Sequence, residues 1–544
     1  MTDSTPESKP ANPLNIKHPA WFLLIPLAIM MFFDQIIWKK QFGLQFLILT
    51  LLVLAGVFIL VIIEKKRVPW QPLLLLFPIL FGAVMTIFRQ EASTTFVNVV
   101  LTLWGLVLLA LTLLNGQWML YRMREVLMGF LRLMQSALVD PIRLVLQNSK
   151  ANASLPPAEK KTTAGKVWPY LRGVLIAIPL LLALGALLAS ADPIFEERLA
   201  HLFDWLKFEN FGEFVVRVIY ILLLAYILAG AYILALTHSA EKKAINPDQP
   251  FFPPFLGHAE AFTVLLLVNL LFASFLIVQF QYFFAGEANI SLEGFTYAEY
   301  ARRGFFELVA VTLISLGLFY LLSLFTKRST KKERRIFSIL SVLLILQVGV
   351  MLISAFQRLS LYEAAYGFTH LRTITHVFMV WLGVLLAAMA VMEIFSQFRR
   401  LAFALFLVFF GFTLTLNTLN VDRFIAEHNI EHAIAGNPLD ASFLVWNMSD
   451  DGWPTLFEYS QAKTTPGEVR NTLDATLACA NATRIDRDEE SPFWASYHVS
   501  GAKADALFEE NAATLNDYPF IQKEESIFIE VNGEELWCKS SGMD

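Results

Sequence analysis

Residues 297–325 read YAEYARRGFFELVAVTLISLGLFYLLSLF: acids, bases and phenols crowd the first third, and only apolar or small residues follow Glu307. A run of this length and character is what a helix needs to cross a hydrocarbon core of about 30 Å. Glu307 is followed by Leu308, Val309, Val311, Leu313 and Ile314, so it is expected about one turn inside the bilayer. A carboxylate there is stable only if it pairs with a nearby Arg or holds a proton at a raised pKa, the second of which would suit a relay.

The rest of the chain repeats the apolar part of this pattern. Of 544 residues, 56% are hydrophobic, 16% are charged and 48 are Phe, against about 25% charged in an ordinary soluble domain. Eleven stretches satisfy the length rule, near 20–38, 42–63, 71–88, 95–114, 173–189, 214–236, 261–284, 305–325, 336–357, 374–392 and 401–418. The expected fold is an α-helical polytopic membrane protein of eleven transmembrane helices with a small C-terminal extracytoplasmic α+β domain. Its expected divisions are a cytoplasmic N-terminal tail (1–19), a transmembrane domain (20–419) and an acidic C-terminal domain (420–544).

Charge supports this division. Residues 1–419 carry 34 Lys and Arg against 24 Asp and Glu, and residues 420–544 carry 8 against 23. An acidic tail argues against nucleic-acid binding. The residues before the first span lack a small-residue cleavage site, so that span is expected to be retained. Lys and Arg collect on the cytoplasmic side of short loops. With the N-terminus inside, Glu64-Lys-Lys-Arg67, the basic loop 115–167, Lys327 to Arg335 and Arg399-Arg400 all fall there, while the 237–259 loop is only weakly basic. The 190–213 loop is acidic and external; Lys39-Lys40 is the discordant external pair. The tail is then periplasmic, where a disulfide between Cys479 and Cys538 is permitted; two unrelated thiols is the other reading.

Within the internal loop, 117–147 has a basic amphipathic pattern, expected either to lie on the anionic leaflet or to bind a partner, and 149–166 reads as a linker. Phe195 to Leu206 gives an external amphipathic helix. In the tail, 421–480 reads as helical. Ser526-Ile-Phe-Ile-Glu-Val531, Asn532-Gly533 and Glu534 to Cys538 read as a hairpin, because Asn-Gly supplies the positive φ angles of a tight turn.

Leu256-Gly-His-Ala-Glu260-Ala, Asn269, Gln279, Gln281-Tyr-Phe-Phe-Ala-Gly286 and Tyr297-Ala-Glu-Tyr-Ala-Arg-Arg-Gly304 resemble a bacterial polytopic membrane family catalogued as a domain of unknown function, the DUF4153/DUF4173-like group. Tyr362-Glu-Ala-Ala-Tyr366-Gly with Arg372 is similar to that family's outer loop, and Asn420-Val-Asp422 to its exit from the last span. The resemblance spans roughly 20–435 and implies a bacterial inner-membrane protein of no settled activity.

The candidate site residues are Glu299, Arg302, Arg303, Glu307, Arg358, Tyr362, Glu363 and Arg372, with Asp34, Asp192, Tyr366 and Asp422 at the same ends of spans. One reading is an outward polar vestibule in which Arg groups hold a carboxylate or phosphate. The other is self-paired, snorkelling helix ends. His428-Asn-Ile-Glu-His432 matches a zinc-protease pattern but brings no third ligand, so His428 and His432 are weak metal candidates. No Gly-rich phosphate loop, nucleophile elbow or Cys-based metal site is present in the sequence, and no cofactor is expected. Three functions stay open: transport or sensing, a non-catalytic envelope scaffold, and an enzyme acting on a lipid-linked or anionic substrate at the outer leaflet, with the balance away from an enzyme. The expected partners are the lipid bilayer and an envelope protein bound through the C-terminal domain.

Overall fold

A computed structural model describes residues 14, 16–37, 43–153, 211–240, 254–284, 305–485, 494–523, 526–531 and 533–540. The expected span 173–189, the amphipathic stretch 195–206, Asp192, Glu299, Arg302 and Arg303 lie outside these residues.

The bundle comprises α1 (Trp21–Ile37), α2 (Leu44–Ile63), α3 (Leu76–Phe88), α4 (Ala92–Thr112), α5 (Met123–Ala153), α6 (Phe211–Leu236), α7 (His258–Phe284), α8 (Phe305–Phe325), α9 (Lys331–Tyr366), α10 (His370–Ile394) and α11 (Leu401–Leu419). Among the described residues nine helices are long and apolar enough to cross a membrane, and the apolar α1 is slightly shorter. In an apolar 18-residue stretch of each of those nine helices only 22–44% of the residues are buried within the protein. Apolar side chains such as Ile62, Phe77, Phe96 and Ile314 therefore face outward, which is stable against lipid and not against water.

Local chemistry sets the helix ends. Thr330 and Glu333 form a capping box that starts α9, and Gly367, at φ +72°, stops it in a conformation that costs other residues more. At 36 residues α9 is about 54 Å long, so it outruns the expected 336–357 span and carries Arg358, Tyr362 and Glu363 on an unbroken helix. Asn420 adopts a left-handed conformation between α11 and the next helix, and its side chain accepts a hydrogen bond from the Arg423 amide.

Packing divides the bundle chiefly between two cores, with a smaller cluster of Ile29, Met30, Phe33, Ile36 and Ala225 beside them. Phe22, Leu60, Ile79, Leu101 and Ile233 belong to one core, and Leu265, Phe319, Phe337, Leu344 and Met379 to a second. α11 joins both, with Leu401 in the second core and Phe406 in the first, and Leu416 in a third.

The basic amphipathic stretch is helical over α5, and α5 packs against α6. Ser136 Oγ donates to the Gly230 carbonyl at 2.9 Å, and a Cβ on Gly230 would sit 2.3 Å from Ala137 Cα. These small residues let α5 cross α6 backbone to backbone. Leu127, Phe130, Leu131, Met134 and Leu138 remain exposed on α5.

After α11 the chain forms α12 (Val421–Ile434), α13 (Ala441–Asn447), α14 (Trp453–Gln461), α15 (Gly467–Ile485), α16 (Val499–Glu510) and α17 (Ala512–Asn516). An antiparallel sheet follows, β1 (Phe520–Lys523), β2 (Ser526–Val531) and β3 (Glu534–Ser540), in the order β1-β2-β3. Its β2–β3 hairpin pairs Val531 with Glu534, and Gly533 takes φ +87°. Ile425, Leu456, Leu473, Ala478 and Ile529 fill the third core, which Val377 and Leu416 close from the bundle side. Cys479 of α15 and Cys538 of β3 are disulfide-bonded.

Candidate functional site

The tail meets one end of the bundle through a buried charged junction. Between α3 and α4 the chain breaks from apolar character at Arg89-Gln-Glu91. The Glu91 carboxylate accepts from the amides of Ser93 and Thr94 at 2.8 and 2.6 Å, so the positive N-terminus of α4 stabilises its charge. Asp451, in the turn before α14, accepts from the amides of Gln90 at 2.7 Å and Glu91 at 3.3 Å. Its carboxylate also pairs with Arg89 Nη1 at 3.4 Å. Arg89 turns its other nitrogens to the Asn417 carbonyl at 3.0 and 2.8 Å. About two turns further along α4, Asn98 and Asn417 of α11 bond through their carboxamides.

Asp422 extends the junction. Its fully buried carboxylate accepts from the Ser449 amide at 2.9 Å and contacts the Ser449 hydroxyl and His370 Nε2. The carboxylate lies between hydroxyl and imidazole, whereas nucleophile activation needs the imidazole against the hydroxyl. The arrangement is thus built to hold, not to attack. Of the three buried carboxylates Glu91, Asp422 and Asp451, Asp451 pairs with Arg89 and Asp422 with the titratable His370. Burial pushes the Asp451 carboxyl above the ordinary carboxylate range, against the opposing pull of the Gln90 amide and Arg89. Unpaired charges here would cost several kcal/mol each.

The predicted residues fall in three groups. At the meeting of α9 and α10, Glu363 is buried and pairs with His376 Nδ1 at 2.9 Å, while Arg372 lies 4.3 Å over the Tyr362 ring and donates to the Gly367 carbonyl at 2.6 Å. Arg372 therefore caps the end of α9, a structural duty that a vestibule anion would have to displace. Arg358 is buried on the same helix. Glu307 is exposed: Phe305 and Leu308 take the packed face of α8, and at 100° per residue Glu307 points away from it. Its expected neighbours Glu299, Arg302 and Arg303 lie outside the described residues.

His428 and His432 turn to separate backbone carbonyls, His428 Nδ1 to Phe424 and His432 Nε2 to Ala364, each at 2.9 Å. Between them Asn429 clamps the Phe368 amide and carbonyl at 2.6 and 3.0 Å. The matched pattern thus docks α12 on the α9–α10 turn. No group of three metal-ligating side chains occurs among the described residues. Asp34 is also internal, accepting from Arg217 Nε of α6 at 3.1 Å and from Tyr220.

Sequence reasoning reached Asp422, and it reads Asn98 within its span as a bond to a neighbouring helix, but it missed Arg89, Glu91, Asp451 and the identity of Asn98's partner, Asn417. The available signal was the charged break at Arg89-Gln-Glu91, on the same side of the bundle as Asp422 by span counting. No curated protein and no solved structure matches the chain. A family described as a domain of unknown function (DUF4153) matches residues 75–459. That range begins later and ends later than the resemblance suggested, and takes in both faces of the junction while leaving out the disulfide and the sheet. By this match over most of its length, the chain belongs to the DUF4153 family.

Proposed function

We propose that this is a sensing protein of a bacterial inner membrane, with its N-terminus cytoplasmic, its acidic tail periplasmic, and the tail coupled to the spans as one responsive unit. The observation that carries the reading is the Asp451 clamp: a tail carboxylate holds the amides of Gln90 and Glu91 and the side chain of Arg89. A load on the tail is thereby felt at the ends of α3, α4 and α11 together. The basic loops at the opposite end support the orientation. The vestibule form of the transport reading has less support, because Glu363 and Arg372 are engaged inside the protein and Glu307 is exposed.

The test is complementation of a deletion strain by the Arg89→Ala/Asp451→Asn variant, with insertion and tail oxidation verified. The proposal expects this uncoupled protein to behave like the deletion. Full complementation would overturn it. A scaffold is the second reading, favoured by the stacked Trp446 and Trp537 rings, 4.6 Å apart and both exposed on the tail. Exposed aromatic pairs of this kind suit a protein contact. Loss of complementation by Trp446→Ala/Trp537→Ala, with the junction intact, would select it.

A further inference from the structure

The α9–α10 pair places an acid, an imidazole and a hydroxyl in sequence. Glu363, buried on α9, accepts from His376 Nδ1 of α10 with both carboxylate oxygens, at 3.1 and 2.9 Å. An ionised carboxylate only accepts, so it fixes the proton on Nδ1 and leaves Nε2 as an acceptor. Ser360 Oγ of α9 lies 3.3 Å from that nitrogen. The Phe356 carbonyl is 3.1 Å from the same hydroxyl and 3.4 Å from Nε2; being an acceptor itself, it cannot bond to Nε2 in this tautomer, and the Ser360 proton can serve either. The Phe356 ring, its centroid 4.4 Å from that of the imidazole, packs against it. This is the order that the Asp422 cluster lacks: the imidazole stands between acid and hydroxyl, as nucleophile activation requires.

Burial is graded along the three groups. Glu363 is enclosed, the His376 side chain is 16% exposed, and Ser360 is exposed, so the orienting acid is dry and the hydroxyl can be reached. Ser360 follows the apolar stretch of α9 expected at 336–357, which sets it at the boundary where lipid and water meet. The two helices run antiparallel through the Gly367 turn, so lower numbers on α9 and higher numbers on α10 lead toward the middle of the bundle. Ile353 and Phe356 precede Ser360 at helical spacing, Val380 and Val384 follow His376 in the same way, and all four are exposed. An apolar strip therefore leads from the hydroxyl into the bilayer. A fatty acyl chain fits that strip, with its ester carbonyl at Ser360 and water at hand.

We propose that Ser360, His376 and Glu363 form an esterase site that cleaves carboxylic esters of long-chain fatty acids held in the membrane. Ser360 Oγ bonds to the ester carbonyl carbon as its proton passes to His376 Nε2. The ester C–O bond then breaks, and the alcohol leaves with that proton. Water attacks the acyl-serine, giving its proton to Nε2; the fatty acid departs and the proton returns to Ser360 Oγ. Ser360 and His376 are the catalytic residues. Glu363 is a positioning residue that holds the imidazole in the working tautomer and stabilises its charge when protonated. The proposal does not depend on the sensing reading.

The test treats the full-length protein in detergent micelles with an alkyl fluorophosphonate, a probe that reacts with activated serines, and maps the adduct by peptide mass spectrometry. One adduct is expected, on Ser360. Ser360→Ala, a change at an exposed position that the fold tolerates, should abolish it, and His376→Gln should slow labelling by roughly a hundredfold or more. Glu363→Gln keeps an acceptor for Nδ1 but removes the charge. It should slow labelling by about tenfold or more while the unfolding temperature stays at the wild-type value, a split that a purely structural carboxylate would not produce. A second arm follows hydrolysis of p-nitrophenyl palmitate and p-nitrophenyl acetate. Turnover of the palmitate ester that is lost in Ser360→Ala supports the membrane substrate. Preference for the acetate, or no turnover of palmitate, would overturn the assigned substrate class. No adduct on Ser360, or labelling of His376→Gln at the wild-type rate, would sink the site itself.

Discussion

Asn98 and Asn417, 319 positions apart, exchange carboxamide hydrogen bonds at 3.1 and 2.7 Å inside the bundle. The pair fixes the register of α4 against α11, in a setting where apolar packing alone leaves helices free to slide. Asn98→Ala and Asn417→Ala are each expected to cost about 1 kcal/mol. The double variant is expected to cost less than the sum, because neither partner is then left unpaired. Unfolding in detergent, run as a double-mutant cycle, measures this; strict additivity would show that the pair does not act as a unit.

The junction is expected to respond to pH through Asp451. Its pKa is raised by burial, so its contribution to stability is complete below the ordinary Asp value and is lost as pH rises through the raised one. Arg89, Glu91, Asp422 and His370 share the junction. Hydrogen exchange at the Gln90 and Glu91 amides should therefore speed up with rising pH beyond the intrinsic chemical dependence. Asp451→Asn should flatten that excess, and an unchanged profile in the variant would assign the effect to another group.

Cys479 and Cys538 are 59 positions apart, a loop whose closure is worth roughly 4 kcal/mol by chain entropy. Reduction, or Cys479→Ala/Cys538→Ala, is expected to lower the denaturant midpoint of the tail while the spans stay helical. Circular dichroism read alongside protease sensitivity of residues 465–540 distinguishes the two. Simultaneous loss of span helicity would mean that the tail and bundle unfold as one.

Gly230→Leu tests the α5–α6 crossing. Its Cβ would meet Ala137 Cα at 2.3 Å, and backbone cannot swing aside as a side chain can. A penalty of about 1–3 kcal/mol is expected, with α5 released to proteolysis near Leu127. Protection equal to wild type would contradict the close crossing.

Much of this architecture was legible because membrane spans are a one-dimensional signal. Stretches near 42–63 and 401–418 need only length and composition, and the hairpin at 526–538 needs only alternation and Asn-Gly. Length misled where a cap, and not hydropathy, ended the helix: the Thr330–Glu333 box and Gly367 stretch α9 well past its apolar middle. Glu307 shows a different limit. Its sequence neighbours are apolar, but its phase on α8 follows from which residues Phe305 and Leu308 pack against. The junction was least legible, since Arg89 and Asp451 meet across 362 positions and neither sits in a recognisable pattern. The Gly230–Ala137 approach was hidden likewise, because small residues are unremarkable until a second helix is known to cross them.

The place of α11 in three separate cores has a consequence for biogenesis. Leu401, Phe406 and Leu416 each belong to a different core, yet α11 is the last candidate span among the described residues. Membrane helices enter in the order of synthesis, so the earlier spans wait with unfilled seams until α11 is inserted. Until then Asn98 has no Asn417 opposite it, and Arg89 no carbonyl to hold. Any nascent product that ends before Leu401 would carry those open seams permanently, a mark by which quality-control proteases can tell an unfinished chain from a finished one.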